Sequence, residues 1–256
     1  MSSDPGVRHE LTTAVFVDFE NLALGVEQDN KKGRFEIELV EKRLLERGRI
    51  VFKRAYCDWT RFQNFMREFH MRGFEMVDIP RSNVSGKNSA DIRMVVDAID
   101  LCYSKTHNDT FALLTGDSDF SPLVSKLKEN NKRVLGCVVR SSTSDLLAGN
   151  CDEFIFYDDL IRVSKQPRQQ PKAGGSSKQQ EAFERLTATI ESLEADYDPV
   201  WGSLVKQTVR RVYPGFNESY YGYRSFSDLL EHAAKEGLIT LDRDPQRGNY
   251  RVRTVR

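Results

Sequence analysis

The sequence predicts an α/β fold, a mainly parallel sheet layered between helices, followed by a small winged-helix domain. Three observations predict it. Apolar, strand-like runs alternate with helical patterns over residues 11–163, the pattern of a parallel sheet with helices on both faces. Those runs are continuously apolar, as expected of strands covered on both sides. Composition then breaks once, and beyond the break come three helices and a hairpin.

The elements run in order. TAVFVDF opens as a strand, and a helix is predicted over about 36–47. RIVFKRAYC is the second strand, with a helix at about 60–72, and FEMVDIP the third, with a helix at about 90–103. In that helix Ile92, Val95, Val96 and Ile99 are expected to face the sheet. TFALLTG, a helix at about 121–130, KRVLGCVV, a helix at about 143–149 and EFIFYDD complete the alternation. Residues 164–180, SKQPRQQPKAGGSSKQQ, carry two prolines, two glycines, five glutamines and no acid, the composition of a flexible basic linker. Over 181–256, AFERLTATIESLEAD and WGSLVKQTVRRVYP read as helices, the latter stopped by Pro214. SFSDLLEHAAKEG is a third helix with Gly237 as its stop, and LITLD and NYRVRTV pair as a hairpin.

At 256 residues, 39% apolar and 30% charged, the chain has an ordinary globular composition with room for one large or two modest domains. Thirty-eight basic and 38 acidic residues cancel, which neither favours nor excludes nucleic acid, since binding depends on where charge lies. No run approaches the roughly 18 apolar residues of a membrane span, so no membrane partner is expected. The N-terminal MSSDPGVRHE has no apolar signal core, and a cytoplasmic location is expected. Cys57, Cys102, Cys137 and Cys151 form no CxxC pair, and the first three sit in or beside apolar patterns. They read as small hydrophobes in a reducing compartment, not as disulfides or zinc ligands.

The chemistry resides in four acids. Asp18, Asp117 and Asp119 lie at or just past the ends of strand-like runs, and Asp91 opens a helix. In an open α/β sheet that edge is where ligands bind. Carboxylates gathered there repel one another unless a cation holds them, so the pattern points to a divalent-metal site for Mg²⁺ or Mn²⁺. Each acid also has a plainer reading. Asp18, followed by Glu20 and Asn21 in a turn, fits a helix N-cap equally well. Turn chemistry accounts for one aspartate of TGDSDF, though less well for two. At a helix start, Asp91 is also favoured by the dipole, by about 0.3–1 kcal/mol. Asp97 lies six residues further, roughly 9 Å along the axis and about 120° around it, which suits a supporting or surface ion-pair role. Thr115 and Ser118 flank Asp117 and are expected to support it. Arg81, Lys87 and Asn88 precede the Asp91 helix, and Arg54, Trp59, Arg61 and Phe62 lie in or after the second strand. Cations and aromatics so placed suit a phosphodiester and its bases; a solvated loop and core packing explain them as readily.

Together DFEN, KNSADIRMVVDA and TGDSDFSPLV resemble the three signature segments of the NYN domain, a branch of the PIN-like metal-dependent ribonucleases. The likeness spans about residues 11–163 and implies a three-layer α/β/α PIN-like (Rossmann-like) fold. It further implies an aspartate cluster, here Asp18, Asp91, Asp117 and Asp119 with Asn21 nearby, that binds Mg²⁺ or Mn²⁺ and cleaves RNA. One departure is that Asn88-Ser89-Ala90 follow Lys87 where such sequences often have glycine. The second domain resembles the OST-HTH (LOTUS) winged helix, associated with RNA binding, through YYGYRSFSDLL and the hairpin after it. Lys206, Arg210 and Arg211 fall on adjoining faces of one helix, and Tyr220, Tyr221 and Tyr223 lie beside Arg224. Such interleaving suits phosphate contact and base stacking, although some of the tyrosines must serve a core.

The reading is therefore a metal-dependent endoribonuclease acting on single-stranded or looped RNA, with the C-terminal module capturing substrate. A non-catalytic RNA-binding regulator is the alternative. An aspartyl-phosphate phosphatase would want a DxD pair after the first strand, whereas Phe19-Glu20 follow Asp18. A protein partner for the C-terminal module, and a homodimer, stay open.

Overall fold

The computed structural model describes residues 11–28, 33–80, 88–165, 177–246 and 248–255. The chain divides into two units, one holding the α/β region and the other the C-terminal region together with Leu45–Arg47.

The first unit is a six-stranded sheet, every pairing parallel. Its strands are β1 (Thr12–Asp18), β2 (Arg49–Cys57), β3 (Glu75–Asp78), β4 (Thr110–Leu114), β5 (Arg133–Val138) and β6 (Glu153–Phe156). They lie in the order β3-β2-β1-β4-β5-β6. The chain winds outward one way from β1 and then the other from β4, so the crevice beyond the ends of these two neighbours is the topological switch point. Successive side chains of a strand point to opposite faces, and both faces of β1 are buried. Val15 and Val17 join one core with Phe19, Leu22, Trp59 and Phe69; Ala14 and Phe16 join another with Met94, Phe111, Leu123 and Leu147. This is the three-layer α/β/α arrangement expected.

The first core is covered by α1 (Phe19–Gln28), α2 (Ile37–Leu45), α3 (Gln63–Met71) and α7 (Tyr157–Lys165), the second by α4 (Ser89–Ser104), α5 (Ser121–Glu129) and α6 (Asp145–Asn150). Phe19 anchors the first core, with the rings of Phe35, Trp59, Phe62, Phe65 and Phe69 within 4.9–6.0 Å of its own. Burying such a ring contributes about 2–3 kcal/mol. Trp59 and Phe62 thus serve the core and have no face left for a base. Cys57, Cys102 and Cys137 are buried free thiols.

Several predicted elements shift. Glu20 and Asn21 lie in the first turn of α1, because no glycine or proline intervenes before the amphipathic run Phe19-Leu22-Ala23-Val26. EFIFYDD divides into β6 and the start of α7. In α4 the buried stripe is Met94, Ala98 and Cys102, while Ile92 and Val96, expected against the sheet, are 63% and 57% exposed. The apolar residues of α4 occupy more of its circumference than one face can bury. Of the proposed linker, 164–165 close α7 and 177–180 open a helix; 166–176 lie outside the described residues.

The second unit packs α8 (Ser177–Glu194), α9 (Gly202–Val212) and α10 (Phe226–Lys235) against an antiparallel sheet of β7 (Val200–Trp201), β8 (Ile239–Asp244) and β9 (Asn249–Thr254), in the order β7-β9-β8. Phe183, Leu186, Ile190, Val205, Val209, Leu229 and Val252 form its core. Gly237, at φ +73°, ends α10: its N–H donates to Ala234 O, and Leu238 N–H to Ala233 O. That left-handed stop favours glycine. The order is that of a winged helix, with β8 starting one residue later and ending two residues later than LITLD predicts, and β7 an addition.

Candidate active site at the sheet switch point

Asp18 ends β1 and is 8% exposed. Its Oδ1 accepts from the Asn21 backbone N–H at 3.2 Å, so it caps α1, and its Oδ2 accepts from Thr115 Oγ1 at 2.9 Å. The N-cap reading of this residue is thus realised. Thr115, fully buried just past β4, also receives the Asp117 N–H at 3.2 Å. Asn21 Oδ1 takes the Gly116 N–H at 3.0 Å. These bonds tie the end of β1 to the loop after β4. Asp117 Oδ1 accepts from Asp119 N–H at 2.9 Å and caps a short 3₁₀ turn, Ser118–Phe120, that hands over to α5. Gly116 is required by contact: a Cβ there would sit 2.0 Å from the Ser142 carbonyl oxygen of the loop after β5.

Asp91, in the first turn of α4, reaches the same place. Its carboxyl is pushed up to about 6, first by burial and then by the charges of Asp117, Asp119 and Glu20. The Asp18 carboxyl is pushed up to about 7, chiefly by burial, with Asp91 and Asp117 adding to it against the Asn21 and Thr115 hydrogen bonds. The four predicted aspartates therefore share one electrostatic neighbourhood. Asp119 is exposed, and Asp91 and Asp117 are half-buried, open to a ligand. Among the described residues, no three His, Cys, Asp or Glu side chains are gathered as a ready-made metal cage.

Glu20 belongs to this neighbourhood and was missed as a site residue. It pairs with Arg61 Nη1 at 2.6 Å. Asp58 and Asp78 are two further acids at strand ends. With Glu20 and Asp18 they raise the Cys57 thiol, behind the larger effect of burial. Asp58 follows β2 directly and Asp78 ends β3, so the strand-end rule that selected Asp18 would have found both.

The remaining predicted residues separate by what they touch. Asp97 accepts from Tyr56 Oη at 2.9 Å and Arg93 Nε at 3.0 Å and pairs with Arg54 Nη1 at 2.8 Å. It is an ion-pair residue, one of the two roles its spacing allows. Arg54 is further held by Glu75 at 2.6 Å, which makes it a strut between β2, β3 and α4. Ser118 is half-buried and Asn88 exposed; Arg81 and Lys87 lie outside the described residues. In the second unit Arg210 makes two 3.0 Å bonds to Glu218, and Lys206 lies 3.7 Å from the same carboxylate. Glu218 is nearly buried and its carboxyl lies below the usual range, where a backbone hydrogen bond and Arg210 outweigh the opposing effect of burial. Arg211 Nη2 donates to Thr208 Oγ1 at 3.2 Å. Tyr223 is buried and its hydroxyl lies 2.8 Å from His232 Nδ1, so it belongs to the core, whereas Tyr220 and Arg224 are exposed.

The NYN domain family model matches residues 12–159, more than half of the chain and the whole of the sheet that builds this site. The chain belongs to the NYN domain family. It is 25% identical over 142 residues to Uncharacterized protein MJ0482 of Methanocaldococcus jannaschii, covering 56% of this chain and 56% of that protein. This chain thus spans little more than half the length of that relative. The crystal structure of VPA0982 from Vibrio parahaemolyticus, a protein of unknown function, superposes with a TM-score of 0.53 at 26% identity, covering 62% of this chain and 98% of that one. The NYN domain has a PIN-like nuclease fold, and the acids described lie inside the matched segment. No described helix is long and apolar enough to cross a membrane.

Proposed function

We propose that the NYN unit is a metal-dependent endoribonuclease acting on single-stranded or looped RNA with Mg²⁺ or Mn²⁺. One observation carries the reading: at the switch point the charges of Asp91 and Asp117 bear on Asp18, and those of Asp117 and Asp119 on Asp91. The donor set fits a hard cation. Mg²⁺ typically takes one or two protein carboxylates and completes its shell with water and substrate phosphate, so a closed cage is not required. Asp91, Asp117 and Asp119 would hold it, with Asp18 behind them. A bound ion supplies Lewis-acid polarisation of the phosphodiester and a more acidic water. The protein's own part is positional. Thr115 and Asn21 lock Asp18 and the TGD loop to one frame, and the exposed Asp119 and half-buried Asp91 and Asp117 leave the phosphate an open side.

The second unit is proposed as an OST-HTH (LOTUS) module that captures RNA, supported by its helix and hairpin order and by exposed Tyr220 and Arg224 in and beside the 3₁₀ turn of Glu218–Tyr221. With Lys206 and Arg210 committed to Glu218, contact falls to that turn rather than to α9.

A non-catalytic RNA-binding regulator is the second reading, favoured by one feature: both oxygens of Asp18 already accept protein hydrogen bonds. Incubating the full chain with labelled single-stranded RNA in Mn²⁺, in EDTA, and as Asp117→Asn separates them. Cleavage in Mn²⁺ alone, lost in both controls, supports the nuclease. Tight binding without cleavage in Mn²⁺ refutes it.

A further inference from the structure

Helix α4 carries an apolar stripe that the described residues of its own unit leave uncovered. Ile92, Val96 and Tyr103 are 63%, 57% and 57% exposed, and half-buried Ile99 lies between them. At 100° per residue these four span about 60° of the helix, over roughly 16 Å of its length. The buried stripe Met94-Ala98-Cys102 is centred about 130° away around the axis. Scattered exposed apolar residues are ordinary; a contiguous row at i, i+4, i+7 and i+11 marks an interaction surface.

The charges beside the row specify the partner. One flank carries exposed Arg93, whose Nε holds Asp97 of the same helix at 3.0 Å while its side chain stays 56% exposed, and exposed Asp100, about 20° from it around the axis. The other flank is half-buried Val95. When two copies of one helix pack antiparallel about a two-fold axis, like flank meets like flank, so Arg93 of each copy approaches Asp100 of the other. Parallel packing would set that charged flank against the apolar one. The stripe's own register agrees: Ile92 opposes Tyr103 and Val96 opposes Ile99 about a centre near residues 97 and 98, within one residue of the Arg93–Asp100 midpoint. An isologous interface must be self-complementary in this way.

We propose that α4 is a homodimer interface, two copies of this chain packing antiparallel along Ile92, Val96, Ile99 and Tyr103. The interface does not depend on the nuclease reading. It sets the two Asp91 residues roughly 20 Å apart, from the 1.5 Å rise per residue and an interaxial distance of 8–10 Å.

Sedimentation equilibrium of the full chain tests it. The wild type is expected to be a concentration-dependent dimer, and Val96→Glu to raise its dissociation constant at least tenfold with an unchanged circular dichroism spectrum. Arg93→Glu and Asp100→Arg should each weaken the dimer, and the double exchange should restore it, because every cross-pair is then opposite in sign again. A chain that stays monomeric to about 100 µM, a dimer indifferent to Val96→Glu, or single variants not rescued by the double exchange would overturn the proposal.

Discussion

Replacing Asp18 with asparagine should make the metal-free protein more stable at alkaline pH. The substituted amide keeps an acceptor for the Asn21 N–H and can donate to Thr115 Oγ1, but it cannot ionise. The wild-type carboxyl rises from 3.8 to about 7 on folding. The folded state therefore holds a proton that the unfolded state has already released between those two values, and stability falls as pH rises through that window. At 1.36 kcal/mol per pH unit, the full cost above pH 7 is about 4 kcal/mol, of which nearly 3 kcal/mol accrues between pH 5 and pH 8. Asp91, raised in the same direction, adds to the slope. Urea unfolding in EDTA at those two pH values measures it. Trp59, stacked on Phe19 at 5.5 Å, reports the unit that holds the site, and a Trp201→Phe background silences the other unit. Asp18→Asn should flatten most of the pH slope. Adding Mn²⁺ at pH 8 should stabilise the wild type, by an amount that grows with the logarithm of its concentration, and the variant less. Equal pH slopes in the two proteins would refute the buried, mutually repelling carboxylates on which the site rests.

Gly116→Ala should cost about 1–3 kcal/mol in the same unfolding assay, the usual penalty for overpacking, because its methyl meets the Ser142 carbonyl at 2.0 Å. On the proposed function it should also reduce RNA cleavage by displacing Asp117; unchanged stability would show that the loop after β5 yields freely. Thr115→Val leaves Asp18 Oδ2 and the Asp117 N–H without their shared hydroxyl, a loss of about 1–3 kcal/mol. The Asp18 carboxyl titration followed by NMR should move higher still, and a titration that stays put would remove Thr115 from the site. In the second unit Glu218 has a lowered carboxyl. Its stabilisation is present above the unfolded value of about 4.5 and lost as pH falls through the lower folded value. Thermal melts of Glu218→Gln should accordingly converge with the wild type in acid, and a gap that persists at low pH would contradict the assignment.

The alternation of continuous apolar runs with helical patterns was enough to predict the parallel sheet, since strands buried on both faces leave no other composition. The acids at strand ends were legible for the same reason: a polar residue directly after a buried run lies where the sheet stops and ligands enter. Local sequence could not tell which side chains would already be satisfied. Arg54, Lys206 and Arg210 look like free cations until folding brings Glu75, Asp97 and Glu218 to them. Nor could it place Trp59, Phe62 and Tyr223, whose aromatic rings serve a core or a base equally well until burial chooses. Helix α4 shows the limit most clearly, because its apolar residues exceed one face and only the packing of Met94, Ala98 and Cys102 shows which of them remain outside. Composition and periodicity determine the elements and the edge on which the carboxylates stand. Pairing across the chain, which brings Asp18 to Thr115 and Asp91 toward Asp117 over distances no window of sequence spans, is decided by tertiary structure alone.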